Sequence, residues 1–376
     1  MKVLVTDGEY KQAVAAIRNL GRHGVNVVVA SARRSAPGFF SRYCTERVLC
    51  PEPEDEAFLP ALLEHVDRLS VDVILPIGGA ATSEISRDKA AAEAHAAVPV
   101  APWESMVIAA DKRRSAALAE ELGVPVPRTY ADRESVDSFP VVAKRAWGSG
   151  VVRYVNSPAE LSASTFADSL VQEYVPGAGY GFFALFDQGE ERAVFMHRRI
   201  REFPVTGGAS TAAVSVYDPL LEELGLRMLR GLRWHGVAMV EFKRDSRDGR
   251  YKLVEVNPKF WGSLDLAVEA GVEFPWLAVQ LALGRPLPTQ DGYPTGVRFR
   301  WVFEDLMHAV ARPRDLGAFL SDFRDGSVRH DFDRADLKPS LIAAGRTLAG
   351  LAVRAKRRAL LRPHGAPHIG SATDRA

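Results

Sequence analysis

The chain has 376 residues, with 48 Lys and Arg against 47 Asp and Glu, a formal net charge of +1 and only two cysteines. That length exceeds one ordinary domain and allows two or three with substantial cores, while the balanced charge carries no signature of a nucleic-acid or broadly acidic partner. No run of eighteen apolar residues occurs, which excludes an ordinary membrane-spanning helix, and the opening MKVLVTDGEYKQAV lacks the apolar core of a signal peptide. Cys44 and Cys50 form neither a CxxC pair nor a disulfide framework, so a reducing cytoplasm is the expected setting.

Val3 to Thr6 is a short apolar run ending in Asp7-Gly8, followed by helical spacing from Ala13 to Leu20 and a second apolar run from Val25 to Ala30. Apolar spacing from Phe58 to Leu69 predicts a helix, and Val71 to Pro76 and Val98 to Ala101 read as further strands. This alternation predicts a small parallel sheet with helices on both faces, a Rossmann-like domain over 1–105 without a GxGxxG fingerprint. Asp111 to Leu122 reads as a helix stopped by Gly123 and Pro125, and Pro140 to Arg145 as a strand running into Trp147-Gly148-Ser149-Gly150. Strands follow at Leu170 to Val175, Gly181 to Asp187 and Arg192 to His197, then a loop through Thr206 to Thr211 and a helix from Pro219 to Leu232. Val237 to Lys243 and Tyr251 to Asn257 flank the turn-forming DSRDGR and predict a hairpin. Helices are expected from Leu264 to Ala270 and Trp276 to Leu283; beyond Pro288 the signals weaken until Leu337 to Leu361, a basic amphipathic stretch before a polar tail.

The hairpin carries the sharpest chemistry. Residues two apart share a face, which groups Glu241 with Val237 and Met239, and Glu255 and Asn257 with Tyr251 and Leu253; a turn near Asp248 sets Glu241 opposite Glu255. Two facing carboxylates repel unless a cation lies between them. Carboxylate and amide oxygens, with room for water and phosphate, suit Mg²⁺. A solvated acidic face on an edge hairpin is the competing reading of these residues alone. Lys144 precedes a Gly-Ser-Gly turn whose backbone can close on phosphates, though a surface hairpin has the same pattern. Lys112 opens a helix, and Leu170 to Gly177 (LVQEYVPG) is a strand passing into a turn, where backbone groups could read an adenine edge or simply end the strand.

Lys112, Lys144, QEYVPG and EFK…EVNP, in this order and at these intervals, closely resemble the ATP-grasp superfamily over roughly residues 1–285, and more narrowly its carboxylate-amine ligase branch, near carbamoyl-phosphate-synthase-like and D-aspartate-ligase-like proteins. The resemblance implies an ATP-grasp fold of mixed α/β and α+β class. Its parts would be a Rossmann-like pre-ATP-grasp domain at 1–105, a small lid subdomain at 106–176, a large metal-bearing subdomain at 177–290, and a C-terminal helical extension with a polar tail at 291–376. It implies ATP between lid and large subdomain. Lys112, Lys144 and the loop of Gly148, Ser149 and Gly150 would contact phosphates, and Glu173, Tyr174 and Val175 would border the adenine. Glu241, Glu255 and Asn257 would hold one or two Mg²⁺ or Mn²⁺ ions. Many relatives carry an acid that grips the ribose about seven positions after the Glu173 equivalent; here Tyr180 stands there, and its hydroxyl would have to substitute.

In the family reaction a carboxylate attacks the γ-phosphate to give an acyl phosphate and ADP, and an amine then displaces phosphate, so the implied partners are small-molecule carboxylate and amine substrates. Positioning and charge neutralisation suffice, which agrees with the lack of a Ser-His-Asp or Cys-His arrangement. Arg199 and Arg201, from His197-Arg198-Arg199-Ile200-Arg201, are the candidate groups around the reacting carboxylate and phosphate. Lys259 stands where relatives often have an arginine and is expected to stabilise charge. Lys243, the Gly207-Gly208 loop and Trp261-Gly262-Ser263 are further cleft candidates; His235 and Glu84 read as structural as readily as functional. A small-molecule kinase, a carbamoyl-phosphate-like activating enzyme and a non-catalytic ATP-binding regulator are the alternatives. Arg346, Arg354, Lys356, Arg357, Arg358 and Arg362 would suit an anionic membrane or acidic partner, or simply face water on a helix packed against its own protein, and a homodimer is within the family's range.

Overall fold

The computed structural model describes residues 1–148 and 152–356. Three sheets organise them. The first is built from β1 (Lys2–Val5), α1 (Lys11–Arg22), β2 (Asn26–Ser31), β3 (Cys44–Leu49), α2 (Phe58–Leu69), β4 (Val73–Leu75), α3 (Gly79–Arg87), α4 (Lys89–Glu93) and α5 (Trp103–Ala110). Its strands run parallel in the order β3-β2-β1-β4. The apolar runs of β1 and β2 are buried on both faces, as a helix-covered parallel sheet requires. On α2 the buried residues Phe58, Leu62, Val66 and Leu69 fall on one helical stripe.

The second sheet is antiparallel and small. α6 (Lys112–Glu121) leads into β5 (Thr129–Tyr130), β6 (Val141–Arg145), β7 (Val152–Val155), α7 (Ala163–Asp168) and β8 (Ser169–Glu173), ordered β5-β8-β6-β7. Asp111 caps α6 by accepting from the backbone N–H groups of Arg113 at 2.8 Å and Arg114 at 3.2 Å, which fixes Lys112 in the first turn.

The third part comprises β9 (Gly179–Asp187), β10 (Glu190–Phe203), β11 (Ala209–Ser215), α8 (Pro219–Gly231), β12 (Gly236–Arg244), β13 (Tyr251–Asn257), α9 (Leu264–Glu269), α10 (Phe274–Ala282), β14 (Arg298–Arg300), α11 (Val302–Ala311), α12 (Leu316–Ser321), β15 (Arg329–His330) and α13 (Leu337–Lys356). Its seven strands are ordered β13-β12-β9-β10-β11-β14-β15, antiparallel except for the last pair. One face of this sheet buries Phe182, Phe186, Phe242 and Leu253 against α8. The other buries Phe183, Leu185 and Phe195 in a single apolar cluster with β1, β2, α1 and α10. The parallel sheet and the large sheet therefore share a core.

The mixed α/β and α+β architecture agrees with the sequence reading; three local expectations do not hold, and one strand was not expected. Val98 to Ala101 is not a strand: it is a buried irregular segment next to an isolated bridge between Val73 and Ala97. The edge strand β3 escaped notice because CTERVL is mostly polar and half exposed. The expected loop from Thr206 to Thr211 is strand from Ala209 onward. A purely helical extension from residue 291 is also corrected, since β14 pairs with β11 and β15 pairs with β14, so the large sheet crosses that boundary.

The C-terminal arm is tied to the first domain by buried charge. The Arg18 guanidinium donates to Asp336 at 3.0 Å, and the same carboxylate accepts from the Ser41 hydroxyl at 2.8 Å and the Arg42 backbone N–H at 2.7 Å. Of the basic residues expected on the last helix, Arg346 is described, whereas the side chains of Arg354, Lys356, Arg357, Arg358 and Arg362 lie outside the described residues.

Candidate active site

A cleft of about 460 Å³ lies between the small sheet and the cleft-facing side of the large one, and the segment after β13 closes one end of it. Glu241 on β12 is the direct register partner of Glu255 on β13, and Met239 is the partner of Asn257. The facing carboxylates expected from the hairpin are therefore present. Their grouping with Tyr251 and Leu253 is not. A bulge leaves Val254 unpaired, because Phe242 pairs with Leu253 while Glu241 pairs with Glu255. The extra residue reverses the alternation. Tyr251 and Leu253 thus enter the core on the far face, and Glu255 and Asn257 face the cleft.

Each carboxylate is held by a cation. Arg199 Nη2 is 2.7 Å from Glu241 Oε2, and Lys112 Nζ is 3.2 Å from Glu255 Oε2. The Asn257 amide donates to Glu255 Oε1 at 2.9 Å. Burial pushes the Glu241 carboxyl up despite Arg199; for Glu255, burial is outweighed by Lys112, the Asn257 amide and Lys144, and the net shift is downward. Burial also opposes the charge on Arg199, but Glu241 and Glu202 more than restore it.

Lys144, on the last turnward residues of β6, donates to the Val254 carbonyl at 3.0 Å and so bridges the small sheet to the bulge of β13. Its burial lowers the ammonium to about 8. Lys112 Nζ also donates to the carbonyl of Gly148 at 2.6 Å, and Gly148 takes a positive φ of 66°. Ser149 and Gly150 lie outside the described residues. Lys259 lines the cleft beside the N-terminal end of α3, where a Cβ on Gly79 would meet its side chain at 3.2 Å. Burial lowers its pKa, against the pull of Glu255 and Asp7.

At the other end, Glu173, Tyr174 and Val175 line the wall, with Lys243 donating to the Val175 carbonyl at 2.9 Å and lying 5.2 Å from the Tyr174 ring centroid. The Glu173 carboxylate is engaged on both oxygens, by Lys252 at 2.7 Å and Arg247 at 2.8 Å. That leaves the backbone of this segment, rather than the carboxylate, to meet a ligand. Sequence reasoning passed over its neighbour. Gln172 Nε2 donates to Thr129 Oγ1 at 3.0 Å, while Oε1, buried in the cleft wall, has no protein partner among the described residues. An oriented, unsatisfied acceptor is a costly thing to bury without a ligand to use it. It stood within QEYV, but nothing in the one-dimensional pattern distinguishes it from Glu173.

Two expected site residues are not in the cleft. Arg199 pairs with Ala213 but Arg201 pairs with Ala212, so Ile200 is an extra residue in β10. The bulge turns Arg201 to the opposite side, where its buried guanidinium holds Asp305 at 2.7 and 2.8 Å and also bonds Asp322. Arg201 is therefore a structural ion-pair residue, and Glu202 takes its place at the cleft. Tyr180 pairs with Phe242, not with the Glu241 row, and packs edge-on against Tyr251 at 5.2 Å on the far face. Its hydroxyl is not available to the cleft. The cleft-facing positions beside it are Gly179 and Gly181, paired with Lys243 and Glu241. A Cβ at Gly179 would meet Arg199 Cδ at 2.9 Å, and one at Gly181 would press on Phe183 at 2.3 Å.

Pro204, Gly207, Gly208 and Ser210 line the cleft, and Arg199 Nη1 donates to the Gly208 carbonyl at 3.2 Å. Trp261, Gly262 and Ser263 complete its floor. His197 lies beneath, stacked 4.7 Å from Phe183 with Nε2 3.2 Å from the Ser263 hydroxyl, and burial lowers its pKa to about 3, so it is neutral and no base. Glu84 is ion-paired with Arg87 and His235 lies 3.5 Å from Asp187, both outside the cleft.

The parallel first domain, the small antiparallel sheet and the large sheet bearing the paired acids together have the ATP-grasp fold. More particularly, residues 165–304 match the family described as ATP-grasp in the biosynthetic pathway with Ter operon. Among solved structures, the fold is similar to biotin carboxylase from Campylobacter jejuni in a β,γ-ATP complex, at 17% identity and TM-score 0.63, covering 79% of this chain and 74% of that one. It is similar to N5-carboxyaminoimidazole synthetase from Staphylococcus aureus at 15% identity and TM-score 0.59, over 76% and 78% of the two chains. L-amino acid ligase from Bacillus licheniformis matches at 18% identity and TM-score 0.59, over 75% and 74%.

Proposed function

We propose that the protein is an ATP- and Mg²⁺-dependent ligase that phosphorylates a small-molecule carboxylate and passes the acyl group to an amine, releasing ADP and phosphate. The observation that carries this reading is the half-buried pair Glu241 and Glu255, in register across the hairpin and ringed by Lys112, Lys144, Arg199 and Lys259 in one cleft. Among the described residues no three His, Cys, Asp or Glu side chains converge. Two carboxylates and an amide suit Mg²⁺, which commonly takes one or two carboxylates plus substrate phosphates, and the pairing of Glu241 with Arg199 and Glu255 with Lys112 supports a site that favours positive charge. When bound, the metal supplies charge neutralisation for the phosphates.

The chain's own residues supply the rest. Lys112 and Lys144 offer point charge to a triphosphate, and the Glu173–Val175 wall with Gln172 frames the base. Arg199 and Lys259 border the floor where a carboxylate would meet the γ-phosphate, and a planar guanidinium can hold either group bidentately. Because the reaction needs positioning and charge compensation rather than a protein nucleophile, the neutral, buried His197 is no obstacle. The solved biotin carboxylase domain of Hydrogenobacter thermophilus 2-oxoglutarate carboxylase is a dimer with MgADP; we carry both ligand class and dimer to this chain as proposals.

Screening paired carboxylates and amines, amino acids first, should give Mg²⁺-dependent ADP and phosphate; formation of AMP and pyrophosphate would overturn the acyl-phosphate route. Glu255→Gln should reduce turnover by about a hundredfold to a thousandfold with an unchanged circular-dichroism spectrum, on the scale of losing a charge-stabilising group. A fully active variant would remove Glu255 from the site.

A further inference from the structure

We infer that Glu202 is the residue that reads the ribose of the bound nucleotide, a role that rests on the ATP-binding reading above. The cleft contains a run of contacts that orders its parts. Lys243 donates to the Val175 carbonyl at the base end, 2.9 Å away. After burial, the strongest influence on the Lys243 ammonium is the Glu202 carboxylate. Glu202 Oε2 lies 3.5 Å from Arg199 Nη1, and Arg199 Nη2 lies 2.7 Å from Glu241 at the metal end. Glu202 therefore stands between the wall that frames the base and the acids that face the phosphates. In a nucleotide the ribose occupies that middle place by covalent order.

Three further observations favour the assignment. The cleft-facing residue of β9 level with Lys243 is Gly179, which brings no side chain to the middle of the cleft. The hydroxyl-bearing neighbour, Tyr180, points to the far face. The bulge at Ile200 is what turns Glu202 inward, so a carboxylate arrives from β10 at the place β9 leaves empty. A partly exposed carboxylate is an acceptor with several free lone pairs, matched to a vicinal diol that offers two O–H donors. A hydrogen bond to a charged group is the stronger kind.

The test is equilibrium binding by calorimetry of MgATP, Mg-2′-deoxy-ATP and Mg-3′-deoxy-ATP to the full chain, its Glu202→Gln and its Glu202→Ala variants, with melting temperatures recorded. The native protein should bind ATP about tenfold or more tightly than at least one deoxynucleotide, the scale of one charged hydrogen bond. Glu202→Ala should lose that preference while its affinity for the deoxynucleotide stays the same, and Glu202→Gln should retain part of it. Equal affinities in the native protein, or a preference that survives in both variants, would overturn the assignment while leaving ATP binding intact. If the variants instead raise only the KM for the amine substrate, Glu202 belongs to the acceptor site and the inference is wrong. No binding of any of the three nucleotides would sink the ATP reading itself.

Discussion

Lys144 is the residue whose ionisation the cleft changes most usefully. In the free protein burial lowers it to about 8, so near that pH about half of the ammonium groups are neutral. A triphosphate favours the charged form. Under the proposed function, nucleotide binding at about pH 8 should take up roughly half a proton, read from calorimetry in buffers of different ionisation enthalpy. The uptake should vanish in Lys144→Met; an uptake that persists would assign it elsewhere. At this scale the sequence was legible where chemistry repeats in one dimension. Lys112, Lys144, Glu241, Glu255, Asn257 and Lys259 all reach one cleft. Gln172 and Glu202 were not legible, because one is distinguished only by which of its atoms lacks a partner and the other by a backbone irregularity three-dimensional in origin.

Strand irregularities explain most of the differences between pattern and structure at the scale of elements. Alternation predicted the hairpin and its facing acids, but one inserted residue in β13 and one in β10 each reverse the faces downstream of them. No composition signal marks Val254 or Ile200. The consequence for Arg201 is measurable. Its guanidinium sits between Asp305 and Asp322, all three nearly inaccessible to solvent, so Arg201→Met leaves the buried Asp305 carboxylate without its counter-charge and Asp322 with only Arg298 and Arg300. The expected loss is about 3–5 kcal/mol of stability by urea unfolding, whereas Arg199→Met should abolish turnover with a smaller loss of stability. Equal, small stability changes in both would contradict the separation of the two arginines.

The whole molecule depends on segments whose sequence signal is weakest. Beyond Pro288 the short β14 and β15 gave no periodicity to read, yet they extend the large sheet, and the acids flanking β15 line a pocket with residues of α1 and α9. Among them burial raises Asp331 from 3.8 to about 6. Between these values the folded chain holds a proton that the unfolded chain has released, so this group's contribution to stability falls as pH rises through the window and stays lost above it. Asp331→Asn, which keeps an oxygen for the Val302 N–H now bonded at 3.1 Å, should therefore stabilise the protein by up to about 3 kcal/mol at about pH 7.5 and by little at about pH 4. Urea midpoints at the two pH values decide it.

The buried pairing of Arg18 with Asp336 joins residues 318 positions apart. A ribosome adding about 5–20 residues per second needs roughly 16–64 s to cover that interval. Until then, α1 presents an uncompensated guanidinium where the folded protein has a core. The parallel-sheet domain is thus made before the segment that completes it, and for that interval Arg18 lacks the partners it has in the folded chain.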